Sequence, residues 1–427
     1  MIQLLVVADD FTGALDTGVQ FAKRGIRTLV TSGTDIDIES IGDSTEVLSV
    51  NTQTRHKNAN DAYEIVYQLI KKSISLGIKH VYKKTDSALR GNIGGELLAA
   101  LHGAGCDRLM FVPSYPDNNR TTENGIQYIE GTPVAQTNFA REPFNPVNQD
   151  YIPDIIKQQA DVQTIVIKNL ETSEFDGHCG IYIFDAKTNE ELVNIGKILK
   201  QSNEVRLMAG CAGFASVLPD ILNCSKSMPE LPNFGDNILL VSGSVNKTSI
   251  EQMNHAKKFG FKGVTLTPEQ KLNSDFYKGY KCDILVNQIK DYLTENKFVY
   301  IEAAASEDDM KKSSQYAAEK NIKIDMLHLL IARNIGSLVK KTIDECEVSN
   351  LFVFGGDTLL GIIEELDING IVPMFEICPG VVASKIISDK YSFNIITKAG
   401  SLGPKDAPEI TASWILRHKP HNDTSQI

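Results

Sequence analysis

Two segments near the start of the chain place carboxylates and cations beside small residues. The first is ADDFTGA at residues 8–14, where Asp9 and Asp10 end a short apolar run and precede a predicted helix. A carboxylate at such a point can accept a hydrogen bond from a polyol hydroxyl, act as a base or hold a metal ion. The structural alternative is that one aspartate caps the helix while the other is solvated.

The second segment, KKTDSALRGNIGG at residues 83–95, follows another short apolar run. Its charged and hydroxyl side chains are Lys83, Lys84, Thr85, Asp86, Ser87 and Arg90. Arginine can bind a carboxylate through two N–H groups, aspartate and serine can bind hydroxyls, and glycine allows close approach of the backbone. This composition suits a small molecule with an anion at one end and hydroxyls along it, and Arg55 could add another cation. A solvated, charged turn is the alternative.

Three turns of small residues in the second half of the chain are typical of phosphate binding. They contain Ser242, Gly243 and Ser244; Gly355, Gly356, Asp357 and Thr358; and Lys398 and Gly400. Consecutive backbone N–H groups at a helix N-terminus favour a negatively charged guest. Asp357 could reach a Mg²⁺ ion on the phosphates or cap its helix. For any one turn, tight packing is the alternative. The P-loop motif GxxxxGK[ST] is absent, and so is the motif GxGxxG, whose absence argues against a Rossmann dehydrogenase.

Short β-branched apolar runs alternate with helical patterns along most of the chain. The first helical pattern has apolar residues at spacings of three or four, namely Phe11, Leu15, Val19 and Ala22. Strands that alternate with helices predict βαβ units and a mainly parallel sheet. The predicted strands are 4–8, 47–50, 80–82, 109–112, 165–167, 181–184, 206–209, 238–241, 298–301, 351–354, 374–377 and 394–397.

The alternation is interrupted at 225–237, where two prolines, a glycine and few apolar residues indicate a linker. The prediction is therefore two α/β domains, residues 1–228 and 229–427, each a mainly parallel sheet with helices on both faces. Ligands gather outside the carboxyl ends of parallel strands, where the polar segments above are expected to lie. A polar, proline-rich excursion over 113–146 is either a lid or an exposed loop.

Length, charge and cysteine usage exclude several classes of protein. The chain has 427 residues, and its 43 basic and 54 acidic side chains give a net charge of −11, which is unsuited to non-specific binding of nucleic acid or an anionic membrane. No apolar stretch approaches the roughly 18 residues of a membrane helix. The seven cysteines form no CxxC or Cys/His cluster, so neither a disulfide framework nor a zinc site is indicated. The protein is expected to be cytoplasmic.

Five motifs follow one another over nearly the whole chain: ADDFTGA (8–14), DSALRGN (86–92), RTT (120–122), GGDT (355–358) and KAGSLG (398–403). In order and spacing they resemble the four-carbon acid sugar kinase family. The resemblance implies an N-terminal domain for a sugar acid and a C-terminal domain for a nucleotide. It also implies ATP-dependent phosphorylation of the terminal (4-) hydroxyl of threonate, erythronate or 3-oxo-tetronate, in a cleft between the domains.

The resemblance also assigns residues to each ligand. Those expected to contact the sugar acid are Asp10, Arg55, Lys84, Thr85, Asp86, Ser87 and Arg90. Those expected to hold ATP are Ser242, Gly243, Ser244, Gly355, Gly356, Asp357, Thr358, Lys398 and Gly400. Asp10 and Asp86 are unranked candidates for the catalytic carboxylate, and Asp357 is the candidate ligand of Mg²⁺. The expected partners are the sugar acid and ATP, without nucleic acid or membrane, and a homodimer is compatible with the sequence.

Two alternatives from other functional classes stay open. One is a Mg²⁺-dependent sugar-acid aldolase or dehydratase, which the adjacent aspartates would allow but which leaves three phosphate-type turns unexplained. The other is a sensor that binds a sugar acid or nucleotide without turnover. Stabilisation by nucleotide would separate the aldolase from the other two, and product formation would separate the kinase from the sensor.

Overall fold

The computed structural model describes residues 2–33, 36–39, 41, 45–142, 145–168, 177–225, 234–244, 246–323, 326–398 and 402–418. The chain divides into two compact units, Met1–Pro229 and Glu230–Ile427. Most of the predicted linker therefore lies outside the described residues, as does Gly400. No helix of the described part is long and apolar enough to cross a membrane.

The first unit is built on a parallel sheet. Its strands are β1 (Leu4–Ala8), β2 (Thr28–Ser32), β3 (Val47–Asn51), β4 (His80–Lys84), β5 (Arg108–Val112), β6 (Arg120–Glu123), β7 (Ile126–Ile129), β8 (Thr132–Pro133), β9 (Thr164–Ile167), β10 (Gly180–Phe184) and β11 (Leu207–Gly210). Its helices are α1 (Phe11–Ala22), α2 (Ala59–Ser75), α3 (Ile93–Ala104), α4 (Ile152–Gln159), α5 (Asn189–Gln201), α6 (Ala212–Ala215) and α7 (Leu218–Ile221).

Eight of these strands form the parallel sheet, in the order β2-β3-β1-β4-β11-β5-β10-β9. Two groups of helices pack against it: α1, α5, α6 and α7 contact one another, and α2, α3 and α4 form the other group. Leu4, Val6 and Tyr82 share a buried core with Phe21 of α1 and Ile195 of α5. Because side chains alternate along a strand, the intervening residues face the other helical layer.

The polar excursion after β5 forms a separate three-stranded antiparallel sheet, β6-β7-β8. Bridges Tyr115–Arg120 and Thr122–Ala186 connect it to the strand-end loops of the main sheet. The described part of the excursion therefore contains regular strand structure, and residues 143–144 lie outside the described residues.

The second unit contains a mixed sheet in the order β13-β14-β12-β15-β18-β17-β16. Its strands are β12 (Ile238–Ser242), β13 (Lys262–Thr265), β14 (Phe298–Glu302), β15 (Asn350–Phe354), β16 (Gly370–Cys378), β17 (Val381–Ile387) and β18 (Asn394–Lys398). Its helices are α8 (Lys247–Phe259), α9 (Pro268–Leu272), α10 (Tyr280–Glu295), α11 (Glu307–Glu319), α12 (Leu327–Glu345), α13 (Gly356–Leu366) and α14 (Ala407–Arg417).

Five strands of the second sheet are parallel, whereas β17 pairs antiparallel with both β18 and β16. Helices α8 and α14 pack together, and α9 to α13 form another group. All twelve predicted strands overlap observed ones, and the prediction of two α/β domains with mainly parallel sheets is confirmed. The sequence interpretation missed β2, β13, β17 and the small sheet.

Candidate active site

The carboxyl ends of the central strands in the first unit are level with one another. Ala8 at the end of β1 is in register with Asn51 of β3 and Lys84 of β4, and Lys84 is in register with Gly210 of β11. The polar segments that follow these strands therefore meet at one edge of the sheet, as expected for a parallel α/β fold.

Arg55 is the centre of a charged cluster at this edge. Its Nε and Nη2 atoms lie 2.8 and 3.0 Å from the two carboxylate oxygens of Asp9, and its Nη1 atom lies 2.5 Å from Asp10 Oδ2. The Asp9 carboxylate is buried, and burial alone would raise its pKa, but the charges of Arg55, Lys83 and Lys84 lower it. Asp9 therefore stays ionised and anchors Arg55 rather than being solvated.

Asp10 caps helix α1. Its Oδ1 atom accepts a hydrogen bond of 2.9 Å from the backbone N–H of Gly13, which satisfies one of the unpaired donors of the first turn. The capping alternative is thus correct for Asp10, but 28% of its side chain is exposed, compared with 3% for Asp9. Asp10 is the carboxylate of this pair that a small molecule can reach.

Lys83 and Lys84 have different environments because adjacent strand residues face opposite sides of a sheet. Lys83 is fully buried, and its Nζ atom lies 2.7 Å from Glu96 Oε2 and also donates to the carbonyls of Val7 and Lys84. Glu96, in the first turn of α3, was missed by the sequence interpretation. Its position after a glycine-rich turn could have indicated it, because carboxylates favour helix N-termini.

Lys84 faces the N-terminus of α1. Only 5% of the residue is exposed, yet its ammonium group forms no ion pair with any described residue. A β-carbon added to Gly13 would lie 2.8 Å from Lys84 Nζ and 2.5 Å from Asp10 Oδ1. Asp9 and Asp86 interact with the charge of Lys84 electrostatically but do not contact it, so this point is suited to an anionic ligand.

Asp86 organises the loop that follows β4. Arg90 holds both of its carboxylate oxygens, with Nε–Oδ2 and Nη2–Oδ1 distances of 2.9 and 3.0 Å. Burial would raise the pKa of Asp86, but the charges of Arg90, Arg55 and Lys84 hold it well below the usual range. The hydroxyl-bearing residues on either side of Asp86 differ in burial. Thr85 Oγ1 is buried and has no hydrogen-bond partner among the described residues, whereas Ser87 is half-buried.

The first two turns of the second unit, and Lys398 at the start of the third, lie at the carboxyl ends of adjacent strands. Ser242 is in register with Phe354, and Phe354 with Lys398. A β-carbon on Gly243 would lie 2.1 Å from Thr358 Oγ1, so the first turn packs directly against the start of α13. Gly355 has a φ of +100°, which L side chains rarely adopt, and its N–H donates to the carbonyl of Lys398.

Other predicted nucleotide residues surround these turns. The Ser244 hydroxyl accepts a hydrogen bond from the backbone N–H of Asn246, and Asp357 is exposed in the first turn of α13. Lys398 is buried, with Nζ 3.1 Å from the carbonyl of Leu402 and 4.6 Å from the Phe354 ring centroid. Burial lowers the pKa of Lys398 to about 7.

Among the described residues, no group of three or more His, Cys, Asp or Glu side chains is arranged to hold a metal ion. The described residues therefore contain no site at which protein side chains alone would coordinate a metal ion. An exposed carboxylate beside a phosphate-type turn fits the common mode for Mg²⁺, which is bound by one or two carboxylates together with substrate phosphates.

Comparisons with known proteins agree with this geometry. A family described as a sugar-binding N-terminal domain matches residues 4–218, about half of the chain, and one described as a nucleotide-binding C-terminal domain matches 239–407.

Two solved structures resemble this chain over nearly its full length. The structure of a Salmonella typhimurium protein described as a putative tRNA synthase has a TM-score of 0.79 at 21% identity, covering 96% of this chain and 99% of the other. A Haemophilus influenzae structure has a TM-score of 0.74 at 19% identity, covering 96% and 100%. These two likenesses show the fold.

Three curated relatives align with this chain over nearly their full lengths. A D-threonate kinase from Salmonella typhimurium is 26% identical and covers 94% of this chain and 96% of its own. A D-erythronate kinase from Heliobacterium modesticaldum is 25% identical, with coverage of 97% and 98%. A 3-oxo-tetronate kinase from Haemophilus influenzae is 22% identical, with coverage of 96% and 99%. With both domains of the family matched, the chain belongs to the four-carbon acid sugar kinase family, as its motifs predicted.

Proposed function

We propose that the protein is an ATP-dependent kinase that phosphorylates the 4-hydroxyl of a four-carbon sugar acid: threonate, erythronate or 3-oxo-tetronate. In this proposal residues 1–228 bind the sugar acid and residues 229–427 bind ATP. The observation that carries it is the largely buried Lys84, whose ammonium forms no ion pair with a described residue, beside Asp10, because together they offer a cation for a carboxylate and an acceptor for a hydroxyl.

Asp10 is the better candidate for the catalytic carboxylate. Phosphoryl transfer depends mainly on positioning and charge neutralisation, and the nucleophilic hydroxyl needs a carboxylate that orients it and accepts its proton. Both carboxylates have partners, since Arg90 holds Asp86 while Arg55 and the Gly13 N–H hold Asp10, but 28% of the Asp10 side chain is exposed compared with 11% for Asp86. Asp86 then orders the loop that carries Thr85 and Ser87, whose hydroxyls are candidates to bind the substrate's hydroxyls.

The nucleotide would bind at the strand-end turns of the second unit. Backbone N–H groups at the start of α13 and the turns at Ser242–Ser244 and Gly355–Gly356 favour phosphate oxygens. Mg²⁺ would supply charge neutralisation on the phosphates, and Asp357 is the residue of this turn that would hold it. Lys398 would add a positive charge near the transferring phosphoryl group.

The test is an ADP-release assay with Mg·ATP and a panel of D- and L-threonate, D- and L-erythronate and 3-oxo-tetronates. We expect ADP release that requires one acid, with one phosphorylated acid formed per ADP. A Lys84→Met variant is expected to lose this activity, while Lys79→Met, which changes an exposed lysine just before the opposite end of β4, is the matched control. ADP release that does not depend on an acid, or no release by folded protein, would contradict the proposal and favour a sensor.

A further inference from the structure

The small antiparallel sheet of the first unit is attached directly to the Asp86 loop. Gln127 of β7 donates from Nε2 to the carbonyl of Ser87 at 2.9 Å, and its Oε1 accepts from Thr122 Oγ1 at 2.8 Å. The hydroxyls of Thr122 and Ser114 are 2.8 Å apart. Ser114, Thr122 and Gln127 are all fully buried, so this polar chain fixes the small sheet relative to the candidate substrate loop.

Arg120, the first residue of β6, is positioned by this sheet. Its backbone N–H donates to the carbonyl of Tyr115 and its carbonyl accepts from the N–H of Tyr115. Its guanidinium Nη1 atom donates to the carbonyl of Asn118 at 2.9 Å. The Nε atom is buried and has no hydrogen-bond partner among the described residues, and the guanidinium forms no ion pair with any of them.

Arg120 is close to the Asp86 loop. Burial lowers the pKa of its guanidinium, the charges of Glu130 and Asp86 partly oppose that effect, and the charge of Arg90 adds to it. The Cys211 thiol, at the end of the neighbouring strand, is within range of both Arg120 and Lys84. Arg120 and Lys84 are therefore two cations near one strand edge, and neither forms a contact ion pair with a described carboxylate, although Asp86 acts on both electrostatically.

Withdrawing a guanidinium from water without a counter-ion is unfavourable unless a ligand supplies the missing acceptors. Phosphate and carboxylate both do so, and an arginine can bind either with two parallel N–H groups. Of these, the carboxylate is the anion that the proposed substrate brings to this unit.

We infer that Arg120 is a substrate-recognition residue whose guanidinium, together with the ammonium of Lys84, binds the carboxylate of the sugar acid. The inference rests on the proposed function. The small sheet then contributes to substrate specificity, because its Arg120 supplies a contact that a neutral polyol of the same length cannot use. Loss of the contact would weaken binding of the acid and leave a neutral analogue unaffected.

The experiment compares Arg120→Gln with the wild type on the acid that is turned over fastest and on its neutral carboxamide. We expect KM for the acid to rise at least tenfold with kcat changed less than threefold, so that the preference for acid over amide falls at least tenfold. Arg120→Lys should retain part of the preference. Arg141→Gln, which removes an exposed arginine from the same excursion, is the matched control.

Equal losses on acid and amide would overturn the inference in favour of a role in phosphoryl transfer. An unchanged preference, in protein with an unchanged melting temperature, would overturn it in favour of a structural role. Calorimetric titration of D-threonate and D-erythronate without ATP distinguishes failure of the Arg120 inference from failure of the kinase proposal. If the wild type binds an acid without turnover and Arg120→Gln does not bind it, the carboxylate contact stands although the kinase proposal fails.

Discussion

Lys84 and Gly13 are so close that a β-carbon on residue 13 would lie 2.8 Å from the lysine Nζ atom. The lysine is the last residue of β4, and the glycine lies in the first turn of α1, which follows the neighbouring strand β1. The contact therefore joins the segments that follow two adjacent strands. The absence of a side chain at residue 13 leaves room for the ammonium group beside the helix N-terminus, where an anion is favoured.

Gly13→Ala is therefore expected to raise KM for the sugar acid at least tenfold, because the new methyl group would displace Lys84 or the Asp10 cap. KM for ATP should stay within about twofold. Steady-state kinetics with each substrate varied in turn provides the measurement. Gly95→Ala is the control, since a β-carbon there meets nothing within 4 Å. An equal rise in both KM values would contradict the assignment of Lys84 to the acid.

Asp10→Asn should lower kcat by about two orders of magnitude, the usual contribution of a general base. Asparagine is as good an N-cap as aspartate, so the melting temperature should change by no more than a few degrees. Asp154→Asn, at an exposed position in the first turn of α4, is the matched control. A variant that retains full kcat would return the catalytic role to Asp86.

Gly243→Ala tests the nucleotide assignment of the second unit. A β-carbon there would overlap Thr358 Oγ1, at 2.1 Å, and would push the β12 turn away from the start of α13. We expect KM for ATP to rise at least tenfold while KM for the acid changes little. Gly279→Ala is the control, because a β-carbon added there would meet nothing within 4 Å. The reverse pattern of KM changes would mean that the roles of the two units are exchanged.

Lys398 predicts a pH dependence of ATP binding. Because burial lowers its pKa to about 7, about half of these side chains are neutral at pH 7 in the absence of nucleotide. Phosphate oxygens would raise that pKa, so ATP binding should take up protons at pH values above 7, and affinity should fall as pH rises through this range. Lys398→Met should abolish the proton uptake.

The uptake can be measured by calorimetric titration at pH 7.5–8.5 in two buffers with different ionisation enthalpies. At these pH values the phosphate groups of ATP are already deprotonated, because their last ionisation has a pKa of about 6. Lys262→Met, which changes an exposed lysine at the start of β13, is the control. Wild-type protein that binds ATP without proton uptake at any of these pH values would contradict placing Lys398 beside the phosphates.

The strands and the polar segments at their ends were predictable because their signals are local. A buried parallel strand needs a short apolar run, and the following turn needs small or polar residues, whatever the rest of the chain does. The hairpin of β16 and β17 and the small sheet were missed for the same reason. Their pairing interrupts the strand–helix alternation, and β6, with the sequence RTTE, has no apolar run.

The sequence by itself determined which residue types gather at the strand ends: two adjacent aspartates, two adjacent lysines and several arginines. Only the tertiary structure decided which member of each pair is available to a ligand. Arg55, 46 positions from Asp9 in the chain, binds both oxygens of that buried carboxylate, and Glu96 pairs with the buried Lys83. Asp10, which also contacts Arg55, stays partly exposed, and Lys84 forms no ion pair with a described residue. Such choices depend on contacts between distant segments and on the helix that covers each face, which the local pattern of one segment does not contain.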